Sequence, residues 1–295
     1  MYKNMLVPVD GSDLSEVVFS YAKELSGRLN MNLVFLHVCE PGSSEILPMR
    51  KAYVEHIVNM SRLHAAETVE VRGEVVTGEP AAEIIKYAET NGIDLILMGT
   101  HGHSGIRRFV FGSVTNEVLK SSPIPVWLAR GPIPEVVVYD KLPKRKILVP
   151  LDGSRPAESV VPCIETLVKQ RGVDLVDVVL LGVCDTPSIT SDYPETENAL
   201  SWDEHQKQVT NYVKEGAAAR LAKLEKQLAD DGFRVHSEVR LGTPADEIIG
   251  YEASSPSNLI VMATPKEKGT QAIDNHVVDK VLHGVSSPIF FVKAG

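Results

Sequence analysis

Met5-Leu6-Val7-Pro8-Val9-Asp10-Gly11-Ser12 occurs a second time, almost residue for residue, as Ile147-Leu148-Val149-Pro150-Leu151-Asp152-Gly153-Ser154. Each copy reads as a buried strand ending in a turn that supplies a helix cap. After the first copy, Val17, Val18, Tyr21, Ala22 and Leu25 fall at helical spacing, which makes the stretch a βα unit. A unit written twice points to a duplicated domain.

The repetition continues along the chain. Gly242-Thr243-Pro244-Ala245-Asp246-Glu247-Ile248-Ile249 matches Gly78-Glu79-Pro80-Ala81-Ala82-Glu83-Ile84-Ile85, Leu259–Met262 matches Leu95–Met98, and Ser286–Ile289 echoes Ser121–Ile124. Within the first copy, residues 32–39 read as a second strand, 48–67 as a helix, 69–76 as a third strand, 78–81 as the start of a helix that runs through Tyr87, and 124–129 as a fifth strand. The chain therefore divides into domains at 1–131 and 145–295, two copies of one βαβαβαβαβ unit. Of the linker between them, Glu135–Asp140 has strand propensity and is expected as an extended segment lying on one domain. The second copy carries an insert: residues 192–198 read as loop, and Trp202 to Asp230 as a long amphipathic helix expected to pack on its own sheet.

Strands that are apolar throughout and alternate with helices imply a parallel sheet covered on both faces. The expected class is α/β, with two tandem Rossmann-like or flavodoxin-like domains. Ligands in such folds sit at the carboxyl ends of the strands where the strand order reverses, between the first and fourth strands. Asp10 falls there, and so does the loop from Met98-Gly99-Thr100-His101-Gly102-His103-Ser104-Gly105 to Phe111-Gly112-Ser113. That loop runs from an apolar strand into the helical spacing of Val114–Lys120. Gly99, Gly102, Gly105 and Gly112 remove side chains that would keep a phosphate from backbone N–H groups, and Ser113 opens a helix whose N-terminus is partly positive. On the residues alone, a tight turn is as good a reading of these glycines as a phosphate cradle.

Other signals narrow the function. A formal charge of −9 and a pI near 5.5 disfavour nucleic acid or an anionic membrane as partner, and no apolar run approaches the length that spans a bilayer. The chain enters its first strand without a signal-peptide pattern, so a cytoplasmic protein is expected. Cys39, Cys163 and Cys184 show no CxxC spacing and read as buried thiols. The lysine of GxxxxGK[ST] is absent, and the glycines do not follow GxGxxG, which disfavours a P-loop enzyme. His101 and His103 lack a third ligand at informative spacing, and Arg107 and Arg108 suit a solvated face as well as a phosphate. Ser12, Ser104 and Ser113 have no GxSxG context or identifiable base, so no catalytic residue is assigned. Asp10 is suited to ribose hydroxyls or to a nucleotide-borne metal ion, the reading preferred once the glycine loop is taken with it, and capping of the helix after it is the alternative.

Gly99-Thr100-His101-Gly102, nine residues, then Gly112-Ser113 fit G-x2-G-x9-G-[ST], and together with Pro8-Val9-Asp10 and His37-Val38 they resemble the ATP-binding members of the universal stress protein family. The resemblance covers nearly the whole chain. It implies five-stranded domains of order 3-2-1-4-5, of the adenine nucleotide alpha hydrolase-like kind, and ATP, with Mg2+ as its ion, as cofactor. By the same resemblance the binding set is Pro8, Val9, Asp10, Val38, Met98, Gly99, Thr100, Gly102, Gly105, Gly112, Ser113 and Val114. Asp10 and Gly99 would meet the ribose, the Val38 backbone the adenine, and Gly102, Gly112, Ser113 and Val114 the phosphates. The second copy keeps Asp152 and Val183, but Ala263, Pro265 and Lys266 replace the first glycines, and Asn275-His276 stands where Gly112-Ser113 stood. This copy is expected to be degenerate. The resemblance further implies a family dimer fused into one chain, with Pro125–Ala129 beside Ile289–Val292; pairing of two such chains is left open. The expected function is ATP-dependent regulation of stress response or signalling through an unidentified protein partner. A slow ATP hydrolase and a nucleotide-free scaffold are the alternatives.

Overall fold

In the computed structural model, residues 1–42, 44–62, 68–100, 112–130, 134–138, 141, 145–185, 201–264 and 276–293 are described. The first half contains β1 (Asn4–Pro8), α1 (Asp13–Leu29), β2 (Asn32–Cys39), α2 (Leu47–Arg62), β3 (Val71–Thr77), α3 (Pro80–Thr90), β4 (Leu95–Thr100), α4 (Ser113–Ser121) and β5 (Val126–Arg130). A short helix, α5 (Glu135–Val138), leads to the second half. There follow β6 (Lys146–Leu151), α6 (Arg155–Glu158), α7 (Val161–Arg171), β7 (Asp177–Cys184), α8 (Trp202–Asp230), β8 (Arg234–Leu241), α9 (Pro244–Ser254), β9 (Leu259–Thr264), α10 (His276–Gly284) and β10 (Ile289–Lys293).

The ten strands of the described residues form one sheet of order β3-β2-β1-β4-β5-β10-β9-β6-β7-β8. Each half is parallel with order 3-2-1-4-5, and the halves join where β5 and β10 run antiparallel, with Trp127 opposite Phe290. Alternation along each strand sends side chains to two cores. Met5, Val7, Leu95 and Leu97 face one side with Tyr21 and Val54, while Leu6, Ile96 and Met98 face the other with Ile84 and Val118. Both faces are covered, which is why strands such as Leu33–Leu36 are apolar without a break.

The halves are also tied by polar groups. Gln170 on α7 accepts from the Tyr2 N–H at 2.9 Å and donates to the Tyr2 carbonyl at 2.7 Å, and Lys293 Nζ donates to the Lys120 carbonyl at 2.9 Å. The seam itself is aromatic: Phe290 packs against Tyr2 edge-on at 6.0 Å and against Trp127 at 5.6 Å.

The linker departs from the sequence expectation. Glu135–Val138 is a helical turn rather than an extended segment: the Pro134 carbonyl accepts from the N–H groups of Val137 and Val138. The Arg28 guanidinium on α1 donates to the carbonyls of Val137 and Val138, and both valines are buried. Burial and this cation outweigh the strand propensity of three consecutive valines. Of the three cysteines, Cys39 is buried while Cys163 and Cys184 are half-buried, so the reading of three buried thiols holds for the first alone. No helix among the described residues is long and apolar enough to cross a membrane.

Candidate functional site

The carboxyl ends of β1, β2 and β4 stop short of the helices that follow them and leave a cavity of about 520 Å³. That volume lies within the range of small-molecule sites. Val9, Leu36, Val38, Ile84 and Met98 give it apolar walls, and Asp10, Ser12, His37, Arg50, Ser113 and Thr115 line it with polar groups.

The Asp10 turn is built by the backbone. Ser12 N–H donates to Asp10 Oδ1 at 2.9 Å, and Gly11 takes a φ of +87°, which glycine adopts without strain. In the second half Ser154 N–H donates to Asp152 Oδ1 at 2.8 Å, with Gly153 at +79°. The bond recurs in both copies and therefore belongs to the scaffold.

His37 lies beside this turn. It is buried, and its Nδ1 is 2.7 Å from the Val9 carbonyl oxygen. A carbonyl only accepts, so Nδ1 carries the proton and Nε2 is the acceptor of a neutral ring. Burial pushes its pKa below the ordinary 6.5; the Val9 bond opposes that shift and the nearby Arg50 charge adds to it. His37 thus fixes the β1 end against β2 as an uncharged group.

On the other side of β1, Gly112 precedes α4, and Gly112, Ser113 and Val114 all line the cavity. The first-turn N–H groups of α4 have no intrahelical acceptor, and the helix dipole places partial positive charge there. Thr115, buried, donates from Oγ1 to the Gly99 carbonyl at 3.3 Å and so pins the start of α4 to the end of β4.

Of the residues expected from sequence, Pro8, Val9, Asp10, Val38, Met98, Gly99, Gly112, Ser113 and Val114 come together around this one cavity. Thr100 ends β4, and Gly102 and Gly105 lie outside the described residues. Sequence reasoning did not single out Arg50, Ile46, Ile84 or Thr115, which complete the wall from α2, its preceding turn, α3 and α4. Arg50 has no local motif; the signal that finds it is its place one helix away on the strand-end side of the fold.

The second half has a different interior. Among the described residues, the cavity at the corresponding place measures about 20 Å³ and is lined by Asp152, Gly153, Val183 and, from α8, Ala217, Arg220, Leu221 and Leu224. Gly182 occupies the strand position of His37, and Leu221 Cδ1 lies 2.7 Å from where a Gly182 Cβ would be. Arg220 covers the turn, with Nε 2.9 Å from a Gly153 Cβ. Here α8 packs on its own sheet, as expected, and in doing so fills the space. The loop substitutions at Pro265, Lys266 and Asn275 lie outside the described residues. Among the described residues no group of three His, Cys, Asp or Glu side chains is placed to hold a metal ion.

Residues 1–130 and 144–293 each match the model of the universal stress protein family. A universal stress protein of Methanocaldococcus jannaschii is 28% identical over 143 residues, covering 45% of this chain and 84% of its own. The crystal structure of a universal stress protein from Archaeoglobus fulgidus matches 99% of this chain and 98% of its own, at 20% identity and a TM-score of 0.75. It shows the same tandem fold. Another Archaeoglobus fulgidus universal stress protein, determined in complex with dAMP, aligns with 42% of this chain and 95% of its own at 25% identity and a TM-score of 0.35.

Proposed function

The chain belongs to the universal stress protein family, and from that premise we propose that it is a cytoplasmic regulator that binds one adenine nucleotide, ATP, in its first half and signals occupancy to a protein partner in the stress response. The observation that carries this reading is the contrast, among the described residues, between two copies of one fold: a cavity of about 520 Å³ at the strand ends of the first and one of about 20 Å³ at those of the second.

The residues present fit the ligand. Val9, Val38, Met98 and Ile84 offer an apolar slot for a base, and the Asp10 turn offers a carboxylate to ribose hydroxyls. Gly112 and Ser113 present the positive end of α4 to phosphates, with no side chain at Gly112 to block their approach. ATP would supply a polyanion there, and Asp10 is the carboxylate of the motif that could hold an Mg2+ ion carried by it. The protein's own residues bind and orient it; none is assigned to bond cleavage. Occupancy would set the charge and order of the rim between β1 and α4, which is the surface a partner would read.

Calorimetric titration of the full chain with ATP should give one site per chain. Gly112→Val should weaken it tenfold or more by placing a side chain at the start of α4, and Gly102→Val should do the same if the glycine loop is the cradle. Two equal sites, or none, would overturn the proposal.

A further inference from the structure

We propose that Arg50, on α2, is a ligand-binding residue of the first-half cavity, donating from its guanidinium to the nucleoside part of the bound nucleotide. This rests on the nucleotide reading of the cavity and extends it to a residue outside the glycine motif.

Arg50 lines the cavity, and its Nη1 lies 3.3 Å from where a Cβ on Gly11 would be, so the guanidinium is seated on the Asp10–Ser12 turn. Its Nε is buried with no hydrogen-bond partner. Among the described residues the group makes no hydrogen bond and no ion pair, and its charge lies near the neutral His37 ring, whose pKa it helps to lower. A buried charged donor left without an acceptor is costly, and a cation beside a neutral imidazole gains nothing from it. An acceptor brought by a ligand removes that cost.

The strand order decides which part of the ligand Arg50 can reach. α2 packs over β2 and β3, where Val54 and Val58 lie against Gly73, whereas Ser113 and the start of α4 belong to β4. β1 runs between β2 and β4. Arg50 therefore enters the cavity from the β2 side of β1 and the start of α4 from the β4 side, so its guanidinium, seated on the β1 turn, is assigned to the sugar and base rather than to the phosphates. A planar guanidinium suits that role, because its forked donors meet ribose oxygens or ring nitrogens and its face stacks on a purine.

The second half provides the control. Arg220 covers the equivalent Gly153 turn from α8, but it is exposed to water and its cavity is filled by Leu221. There the arginine is satisfied by solvent. In the first half its Nε is shut off from it.

The test titrates the full-length protein, and the variants Arg50→Met and Arg50→Lys, with ATP and separately with adenosine, which lacks phosphates. Arg50→Met keeps the stem and removes the charge. It should lose about tenfold or more in affinity for both ligands, by the same factor, with Arg50→Lys recovering part of the loss. Unchanged affinities would overturn the proposal and leave Arg50 as a packing group on the turn. A loss confined to ATP would overturn the nucleoside assignment in favour of a phosphate contact. If Arg50→Met does not fold, as read by its thermal unfolding, Arg50→Lys decides: it should weaken both ligands in proportion, and equality with the unmodified chain would refute the idea. Failure of the unmodified protein to bind either ligand would instead refute the nucleotide reading itself.

Discussion

At the scale of single residues, His37 shows how a side chain in a binding site can be held in one protonation state by the scaffold. Its Nδ1–H is committed to the Val9 carbonyl, and burial lowers its pKa below 6.5, with Arg50 on α2 and Asp10 on the adjacent turn acting in opposite senses and Tyr53 meeting its ring edge-on. Well above pH 6.5 the ring is neutral in both the folded and the unfolded chain. As the pH falls below 6.5 the unfolded chain takes up a proton that the folded chain resists, so stability falls with it, by at most about 1.4 kcal/mol per pH unit for one group. The expected outcome is that His37→Gln, which can still donate to Val9, loses less stability between pH 7 and pH 5.5 than the unmodified protein in urea unfolding. Equal slopes would show that His37 titrates as it does in the unfolded chain. At this scale the sequence was informative where chemistry is local. Asp10-Gly11-Ser12 announces its own turn, and Gly112-Ser113 announces a helix start. It was silent on Arg50, because what makes that residue notable is an empty set of partners across the fold.

Among the elements, α2 and α8 are the same structural piece used in two ways. α2 reaches β3 closely only because residue 73 is glycine: a Cβ there would lie 2.4 Å from Val54 Cγ1 and 2.8 Å from Val58 Cγ2. Both neighbours are β-branched and stiff, so Gly73→Ala should cost about 1–3 kcal/mol through overpacking, measured as a lower urea midpoint. At Gly182 the neighbour is instead the tip of Leu221, which can turn aside, so Gly182→Ala should cost less. The helices and strands were legible from periodicity to within a few residues: a helix read over 48–67 is Leu47–Arg62 in the described residues, and a strand read over 69–76 is Val71–Thr77. The linker was misread because Glu135–Val138 borrows its conformation from Pro134 and Arg28, neither of which a strand propensity takes into account. That α8 packs on its own sheet was expected, but that it takes up the strand-end space was out of reach, since the meeting of Leu221 with Gly182 joins residues 39 apart and depends on helix register.

For the whole molecule, the seam between β5 and β10 makes two domains into one sheet. It buries Val126, Trp127 and Leu128, each no more than 5% exposed, against a partner strand from the same chain. The isolated segment 1–131 would present that strand as an unpaired apolar edge, and such edges recruit another strand. It should therefore sediment as a dimer at micromolar concentration, and Val126→Pro, which removes a ladder donor, should shift it toward monomer. A monomeric unmodified segment would show that the edge is satisfied within its own half. The repeat itself could be read from the residues, and the family resemblance implied that Pro125–Ala129 meets Ile289–Val292; the antiparallel sense of their pairing belongs to three dimensions. Joining the two halves in one polypeptide has a genetic corollary. In an assembly of identical chains every substitution is made twice, once in each binding pocket. In this chain each substitution is made once, so the second half was free to gain a 29-residue helix and close its interior while the first kept its own open.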